Sequence, residues 1–447
     1  MSAPQTVQAS PQLKRLMALA WVAIVLMVAA CIFLGTWWSI NGARPIPPTP
    51  TPIQVAAAPA NTLPPASPTS LPNPTGAPGM PVLTPTALTP FPTPTILPID
   101  DPGFGYGVLI SPSAEVPLAL DQVQQLGLGW VKVPIRWADI EAVPGEPQWE
   151  QLDALFQATT ARGLKVLVTV SAAPDWTRSV TAEGYDGPPD NNEAYVAFVR
   201  ELLQRYQGAI HAVEVWSEMN RGDEWYVSGG LSSASYMALL APTAQAVHAV
   251  DPGVIVISGG LNPTGIDDGI MAIDDFRYMQ EMINAGLLDM VDCVGAHHKG
   301  YNLPPDAPYT DYDDPTALYR QPFQNRHHSW SFFSTVRGYN DMIVAAARET
   351  PICVTEFGWA SIGNQRGANV PEFVYDNSLQ EQADYIVRAF ELMRDWDFVR
   401  MGFLSNLDYS VGDEPGSPDD GLTAYYRITT SAGAPRPAFD ALLDMPK

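Results

Sequence analysis

Two glutamates stand at the ends of apolar runs that are far apart in the sequence. Glu218 belongs to the run HAVEVWSEMN, and Glu356 belongs to PICVTEFGWAS. Two carboxyl groups can share acid and base work, because one protonates a leaving oxygen while the other attacks a carbon. At a separation of about 5–5.5 Å, such a pair is typical of retaining hydrolysis of a glycosidic bond. One glutamate alone would more simply be a solvated loop residue, so the inference depends on both.

The two glutamates can meet only if their strands open onto the same end of one sheet. From residue 103 onwards, short β-branched runs alternate with amphipathic stretches, which predicts repeated strand–helix units. The predicted strands are Gly105–Ile110, Trp130–Ile135, Lys165–Val170, Ala212–Trp216, Val254–Ser258, Cys293–Ala296, Ile352–Thr355 and Met401–Leu404. The predicted helices include Trp149–Arg162, Glu193–Tyr206, Ser233–Val250, Phe276–Ala285, Ser331–Arg348 and Leu379–Asp395.

Eight such units predict an α/β fold, a closed (β/α)8 TIM barrel. Chemistry in that fold takes place at the C-terminal ends of the strands, and strands four and seven face each other across its mouth. No G-x-G-x-x-G follows the first strand, so a dinucleotide-binding sheet lacks its fingerprint.

No metal and no cofactor are expected. The pairs His297-His298 and His327-His328 suggest metal ligands, but the first strand has no H-x-H, and a metal needs several converging groups. The acidic segment YTDYDDPT lacks the glycine and glutamate spacing of a calcium loop. Cys293 and Cys353 begin neighbouring strands, and we expect them to be buried apolar thiols.

Three segments resemble the clan A glycoside hydrolases, the superfamily that includes families 5 and 39. They are WVKVPIRWADIEAVPGEPQWEQLD at 130–153, VEVWSEMN in the fourth unit and VTEFGWAS in the seventh. The resemblance covers nearly all of residues 103–447. It implies that Glu218 is the acid/base and Glu356 the nucleophile, with no metal or cofactor.

Several positions depart from the family pattern around these glutamates. The family asparagine before the acid/base is Ser217 here, and a hydroxyl is shorter than an amide. The strand-two arginine falls on Lys132, whose point charge cannot copy a forked guanidinium. Arg136, four residues later and on the same side of the strand, is the alternative.

The segments at strands six and eight also depart from the family pattern. Relatives often read H-P-Y after strand six, where this chain has His297-His298-Lys299. The histidine is kept at His297, but the tyrosine is replaced by Lys299, with Tyr301 the nearest tyrosine. The eighth-strand tryptophan that forms the floor of the sugar subsite falls on Ser405.

Four tryptophans follow predicted strands and are candidates for sugar binding, because flat rings stack on pyranose faces. They are Trp137, Trp176, Trp225 and Trp359. The alternative for each is that it packs a loop against the barrel. Trp359 lies three residues after Glu356 and is the favoured sugar platform.

The segment before the barrel predicts a membrane anchor and a stalk. Residues 16–40 form an uncharged apolar run of 25 residues, long enough to span a bilayer. Lys14 and Arg15 precede it, which places residues 1–15 in the cytoplasm. The alternatives are a cleaved signal peptide and a lipoprotein signal with Cys31 as the lipid acceptor. Residues 41–102 contain 19 of the 44 prolines and predict a disordered Pro/Thr-rich linker.

The sequence therefore predicts a barrel at 103–447, displayed outside the cell on a single-pass anchor. Its expected partners are a carbohydrate substrate and, through residues 16–40, the lipid bilayer. A net charge of −24 argues against nucleic acid. The expected function is retaining O-glycoside hydrolysis of a β-linked glycan or glycoside. The alternatives are a catalytically weak or inactive carbohydrate-binding barrel at the cell surface, and a structural envelope protein.

Overall fold

The computed structural model describes residues 103–111, 116–363, 370–408, 423–430 and 433–447, all within one compact unit. The strands are β1 Gly105–Leu109, β2 Trp130–Arg136, β3 Lys165–Ser171, β4 Ala212–Val215, β5 Ile255–Ser258, β6 Val294–Gly300, β7 Ile352–Trp359 and β8 Val399–Leu404. They form one sheet in the order β5-β4-β3-β2-β1-β8-β7-β6. The neighbouring strands of that order pair in parallel.

Helices follow the strands along the chain. They are α1 Val116–Gln125, α2 Trp137–Ile140, α3 Glu150–Ala161, α4 Asn192–Arg205, α5 Ser233–Val250, α6 Asp275–Asn284, α7 Gln321–Gln324, α8 Phe332–Ala345, α9 Phe373–Asp376, α10 Leu379–Asp395, α11 Thr423–Tyr426 and α12 Pro437–Asp444. Single 3-10 turns lie at Asp175–Thr177, Leu287–Asp289 and His328–Trp330.

The sheet closes on itself between β5 and β6. Parallel bridges join Ile257 to Cys293 and Leu261 to Ala296, and the amide of Ser258 donates to the carbonyl of Cys293 at 3.2 Å. The predicted (β/α)8 barrel is therefore confirmed, with all eight strands in their predicted places. Strands β6 and β7 continue four residues beyond their predicted ends, where they remain paired with each other as far as Gly300 and Trp359.

The helices form where the sequence has both an apolar face and a start signal. α10 begins after Ser378, whose side chain accepts from the amide of Glu381 while the Glu381 carboxylate accepts from the amide of Ser378. Ile386, Phe390 and Met393 are spaced so that they share one face, and all three are fully buried. The predicted helix Leu379–Asp395 is confirmed at both ends.

The bottom of the barrel interior is an apolar layer, the barrel floor. It consists of Trp130, Leu167, Ala212, Ile255, Ile257, Cys293, Cys353, Met401 and Phe403. Lys132, Thr169 and Glu214 stand two residues further along their strands than floor residues, and all three are buried. Since side chains alternate along a strand, these polar groups form the next layer towards the mouth.

Cys293 and Cys353 form a disulfide, so the expectation of two free thiols is wrong. Val294 pairs with Ile352 and Gly295 with Cys353, which brings the two cysteines to a Cα–Cα distance of 5.8 Å. That distance lies in the range that a disulfide requires. The sequence predicted neighbouring strands, but not the register that decides whether two thiols meet.

We expect the double variant Cys293→Ala/Cys353→Ala to lose about 2–4 kcal/mol of unfolding free energy, because the bond constrains the unfolded chain. The bond joins residues 60 positions apart in the sequence. Urea denaturation of the oxidised protein and the variant measures the difference. Reduced wild type serves as the control and should unfold near the variant. Equal midpoints for oxidised and reduced wild type would contradict this prediction.

Among the described residues, no helix combines the length and the apolar character needed to cross a bilayer. The predicted anchor at residues 16–40 and the predicted linker at 41–102 lie outside the described residues.

Candidate active site

Glu218 and Glu356 lie together at the C-terminal mouth of the barrel. Glu356 is on β7, and Glu218 follows the end of β4 by three residues. A carboxylate oxygen of each glutamate and a ring nitrogen of His297 lie within 4.8 Å of one another. The glutamate side chains are only 6% and 13% exposed, respectively. The structure thus brings together the two carboxylates that the strand-end argument placed across one opening.

The backbone around Glu218 is held in an uncommon conformation. Trp216 and Glu218 have positive φ angles of 69° and 49°, which side chains other than glycine rarely adopt. The amide of Glu218 donates to the carbonyl of Gly260 at 2.9 Å, and the Trp216 indole donates to the carbonyl of Glu224 at 3.0 Å. Such conformations cost energy and concentrate at functional sites. Here they turn the Glu218 carboxylate towards the barrel axis.

A shift in strand pairing aims Glu356 into the same space. Ala296 pairs with Val354, but the next residue, His297, pairs with Glu356, so Thr355 is an extra residue in β7. Both Thr355 and Glu356 contact groups inside the barrel, although they are consecutive. Irregular pairing of this kind redirects side chains near active sites.

Two lysines bind the Glu356 carboxylate. Lys132 Nζ lies 2.9 Å from Oε1, and Lys299 Nζ lies 3.1 Å from Oε2. Lys299 also lies 3.3 Å from Glu218 Oε1, so it bridges the two carboxylates. Burial by itself would raise the pKa of Glu356, but the nearby positive charges outweigh it and hold that pKa below its usual range. Glu356 is therefore ionised at neutral pH.

The Glu218 carboxylate has more hydrogen-bond and ion-pair partners than that of Glu356. Its carboxylate accepts from Asn262 Nδ2 at 2.7 Å and from the Arg221 guanidinium, in addition to Lys299. His297 Nδ1 lies 3.1 Å from Glu218 Oε1. Burial opposes the charged form, yet these neighbours hold the pKa of Glu218 well below its ordinary value. In this state Glu218 is ionised too.

A third carboxylate, Glu214, lies deeper in the barrel and was not predicted as a site residue. It forms an ion pair with Lys132 at 2.8 Å and accepts from Thr355 Oγ1 at 2.6 Å and the amide of Gly260 at 3.0 Å. Despite complete burial, which disfavours charge, Lys132 and His297 lower the pKa of Glu214. The sequence feature that could have indicated Glu214 is a charged residue between two valines of a buried strand, in the run VEV.

His297 connects the deep and the upper carboxylates. Its Nε2 lies 3.2 Å from Glu214 Oε1, and its Nδ1 faces Glu218. Burial favours the neutral ring, but the surrounding carboxylates, Glu356 foremost, raise the pKa of His297 to about 9. His297 is therefore a cation at neutral pH. Together with Lys132 and Lys299, it places three positive charges among the three carboxylates, and the Arg221 guanidinium, which also pairs with Asp223, adds a fourth.

We expect Lys299→Met to weaken the dependence of stability on acid pH. The pKa values of Glu218 and Glu356 are lowered from 4.5, so the stability that these groups contribute is present above about pH 4.5 and disappears as pH falls through their folded-state values. Without the ammonium both pKa values rise. The variant should thus be less stable at pH 7, and its unfolding free energy should fall by a smaller amount between pH 5 and pH 2.

Urea unfolding across that pH range measures the effect of Lys299→Met. Lys299→Arg keeps the charge and is the matched control, which should behave like wild type. A methionine variant with an unchanged pH dependence would contradict the bridging role of Lys299.

Three other predicted site residues lie at or beyond strand ends at the mouth of the barrel. In the described part of the chain, none of the three contacts the carboxylate of Glu218 or Glu356. Arg136 is on the same face of β2 as Lys132, but it pairs with Asp186 and Asp139 and is 45% exposed. Trp176 is 43% exposed, and its indole donates to the carbonyl of Glu141 at 2.9 Å. Ser217 is partly exposed beside Glu218.

Trp137, Trp225 and Trp359 are buried, so their expected role as sugar platforms is not supported. The Trp359 indole donates to the carbonyl of Leu303 at 2.8 Å, and its ring packs edge-on against Tyr385. The Trp137 ring stacks on Phe198 with ring centroids 5.1 Å apart. Each ring fills the gap between a strand end and the surrounding helices. Trp176 is the one ring of the four predicted that offers an exposed face.

Two more residues were named in the comparison with the family pattern, Tyr301 and Ser405. Tyr301 packs against Trp330 and Phe373 in an aromatic cluster, with ring centroids 4.7 and 5.0 Å away. Ser405 is buried directly after β8. The ring of Tyr426 is also buried, and its hydroxyl lies 3.4 Å from the carbonyl of Gly300 at the end of β6.

Comparison with known proteins finds curated proteins that match about a third of the sequence and solved structures that share the fold. No family model matches the chain. Over 167 residues it is 28% identical to a protein named "Probable glucan 1,3-beta-glucosidase A" from Aspergillus fumigatus, covering 34% of this chain and 39% of that one. A protein of the same name from Aspergillus terreus is 28% identical over 180 residues, covering 37% and 42%. The chain thus spans about two fifths of the length of these curated relatives.

Solved structures of glycoside hydrolases share the fold. A family 39 glycoside hydrolase from Bacteroides cellulosilyticus WH2 aligns with a TM-score of 0.55 at 18% identity, covering 76% of this chain and 63% of that one. GH5_18 from Streptomyces cattleya, in complex with GlcNAc, aligns with a TM-score of 0.54 at 16% identity, covering 77% and 79%. The resemblance predicted from the sequence motifs is confirmed at the level of the fold: the chain has the barrel architecture of the clan A glycoside hydrolases.

Proposed function

We propose that the chain is a retaining glycosidase that hydrolyses a β-linked O-glycosidic bond with Glu218 and Glu356. The main support is the spacing of the two carboxylates, whose nearest oxygens lie within 4.8 Å. An inverting mechanism needs a separation of about 6.5–9.5 Å, which leaves room for a water molecule between carboxylate and sugar. The short spacing favours direct attack by one carboxylate on the anomeric carbon.

In the first step, the ionised Glu356 attacks the anomeric carbon as the bond from that carbon to the leaving oxygen breaks. Glu218 gives a proton to the leaving oxygen, and a glycosyl ester on Glu356 results. In the second step, Glu218 takes a proton from water as the water oxygen attacks the anomeric carbon and the ester bond breaks. Glu356 is then an ionised carboxylate again, and Glu218 holds the proton taken from water, which passes back to His297 when the product leaves.

Glu218 must hold a proton at the moment of cleavage, although it is ionised in this structure. His297 is the nearest source, since it is protonated at neutral pH and its Nδ1 lies 3.1 Å from Glu218 Oε1. A sugar that enters between the carboxylates separates Glu218 from Lys299 and excludes water. Both changes favour the neutral carboxyl group, and the proton moves from His297 to Glu218.

For the substrate we propose a β-linked glucoside or glucan. The support is the name of the partial relatives, "Probable glucan 1,3-beta-glucosidase A", together with the barrel shared with glycoside hydrolases. We also propose that the barrel lies outside the cell on the anchor and linker predicted at residues 16–102. The disulfide between Cys293 and Cys353 supports this location, because such bonds persist in oxidising compartments.

The deciding experiment is inactivation by an activated 2-deoxy-2-fluoro-β-glucoside, which traps the glycosyl ester of a retaining enzyme. We expect the mass of the protein to increase by one fluorosugar, and peptide mapping to locate the label on Glu356. Glu356→Gln is the matched control and should remain unlabelled. Release of a product with the inverted anomeric configuration, observed by NMR, would overturn the retaining mechanism.

The second candidate is a carbohydrate-binding barrel with little or no turnover. Its support is the set of groups around Glu218, because Lys299, Arg221 and Asn262 all stabilise the carboxylate that would have to be protonated. Oligosaccharide binding measured by calorimetry, without labelling of Glu356 by fluorosugars that inactivate other retaining β-glycosidases, would favour this candidate.

A further inference from the structure

A second cluster of potential ligands lies outside the candidate active site, on the wall between the β5 and β6 units. Asp274 immediately precedes α6, while His327 and His328 precede α8. One ligand atom from each of these three residues lies within 4.8 Å of the others. From this geometry we propose that Asp274, His327 and His328 form a binding site for a divalent transition metal, with Zn²⁺ as the best match.

The spacing of the atoms fits tetrahedral coordination. Asp274 Oδ2 lies 3.5 Å from His327 Nε2 and 3.9 Å from His328 Nε2. Ligands bound to one Zn²⁺ at about 2.0–2.1 Å in a tetrahedron are roughly 3.4 Å apart. For these two pairs, closing the site around an ion requires shifts of about half an ångström or less, and the two imidazole nitrogens lie within 4.8 Å of each other. Two imidazoles and a carboxylate also match the ligand preference of Zn²⁺.

The state of Asp274 is the independent observation that points to a ligand. Its Oδ1 accepts from the amide of Arg277 at 3.2 Å and so caps α6. Its Oδ2 is buried, yet it accepts no hydrogen bond from any residue that the structure describes. A buried carboxylate oxygen without a donor is costly, and this oxygen faces two imidazole nitrogens. A cation between the three groups would satisfy it.

Each imidazole must present an unprotonated Nε2 to the ion. His327 Nδ1 lies 2.9 Å from Ser329 Oγ and accepts from the Ser329 amide at 3.3 Å. Metal binding selects the tautomer in which Nδ1 donates to the hydroxyl, which leaves Nε2 with a lone pair. His328 Nε2 lies 2.9 Å from Asp275 Oδ1. On metal binding, the His328 proton moves from Nε2 to Nδ1, and the net proton count is unchanged. Asp275 Oδ1 then faces the ion and can complete a fourth position.

The position of the site suggests a structural role. It ties the segment between β5 and α6 to the segment between β6 and α8. The first of these segments carries Asn262, which donates to Glu218. A bound ion would therefore stabilise one wall of the barrel mouth without touching the reacting groups. The sequence suggested the pair His327-His328 as ligands but not Asp274, because that third ligand lies 53 residues before the pair.

The test is metal binding by the purified chain after removal of metals with a chelator. We expect one equivalent of Zn²⁺ to bind in competition with a chromophoric chelator, and the Tm to rise by a few degrees. With Co²⁺ as a probe, the d–d absorption should indicate four-coordinate nitrogen and oxygen ligation. None of these measurements requires glycosidase activity, so the outcome is separate from that of the proposed function.

Two variants locate the site, and a third controls for loss of a histidine. Asp274→Asn keeps an oxygen to cap α6, and His327→Asn removes one imidazole; each should weaken Zn²⁺ binding at least about tenfold. His248→Gln removes a histidine that pairs with Asp292 at 2.9 Å elsewhere on the surface, and should leave binding unchanged. Absence of stoichiometric binding to wild type, or equal affinity of wild type and both ligand variants, would overturn the proposal.

Discussion

Glu356→Gln should lower the turnover of an aryl β-glucoside by at least about 10⁴-fold, because the variant lacks the ionised carboxylate that would form the glycosyl ester. The amide has nearly the same shape as the carboxylate, so the fold should be retained. One of the two lysines, Lys132 or Lys299, can still donate to its oxygen, whereas the other faces the amide NH2 group. Steady-state rates, with circular dichroism to check folding, measure this effect.

Glu218→Ala should lose activity in a different way. Loss of a general acid costs about 10²–10⁴-fold for a poor leaving group, but far less for a leaving group that departs without a proton. Azide should restore turnover of the activated substrate by replacing water, and it should give a β-glycosyl azide. Glu201→Gln on the exposed face of α4 is the control and should match wild type. If both active-site variants kept wild-type turnover, the assignment of these two glutamates would be wrong.

The positions of the barrel and of its two central carboxylates could be predicted because they depend on local pattern. Buried parallel strands appear as short β-branched runs, and helices appear as residues spaced by three and four. A carboxylate after such a run must then lie at the mouth, because all parallel strands end on the same side. These steps place Glu218 and Glu356 without any knowledge of side-chain contacts.

What could not be predicted depends on register and on pairing between distant residues. The disulfide between Cys293 and Cys353 requires the alignment of β6 with β7, which no local pattern specifies. Lys299 was interpreted as the loss of a tyrosine, whereas the structure shows it bridging Glu218 and Glu356. A charged residue in an apolar environment is informative only when its partners are known.

The tryptophans illustrate a different limit. A ring that follows a strand can point into the mouth or back between the strand and its helix, and the sequence spacing is the same in both cases. Trp359 is fully buried, while Trp176, after a comparable strand, is half-exposed. The choice depends on the loops, which determine how much space is left behind each ring.

The positive groups around Glu214, Glu218 and Glu356 explain how three carboxylates stay ionised in a site that is largely buried. Glu214, beneath the two catalytic candidates, is completely buried, and its cationic partners are Lys132 at 2.8 Å and His297 at 3.2 Å. Lys132 also binds Glu356, so a single ammonium links the layer above the floor to the mouth. Burying a charge is costly, but removing one partner of a buried pair is costlier, because the other charge remains without compensation.

Lys132→Met should therefore lower the unfolding free energy at pH 7 by about 3–5 kcal/mol. The methionine fills a similar volume, so lost packing contributes little. The loss should shrink as pH falls: without its lysine the pKa of Glu214 rises, and the variant removes the uncompensated charge by protonation. Urea denaturation at pH 7 and at pH 4 measures both effects.

The double variant Lys132→Met/Glu214→Gln tests whether an uncompensated charge is the cause. It removes both members of the pair and keeps a group that can hydrogen-bond to Thr169 and Thr355, so it should recover most of the stability lost in the single variant. Glu214→Gln alone should cost less than Lys132→Met, because Lys132 retains Glu356 as a partner. A double variant no more stable than Lys132→Met would mean that the lysine stabilises the barrel through packing rather than through charge.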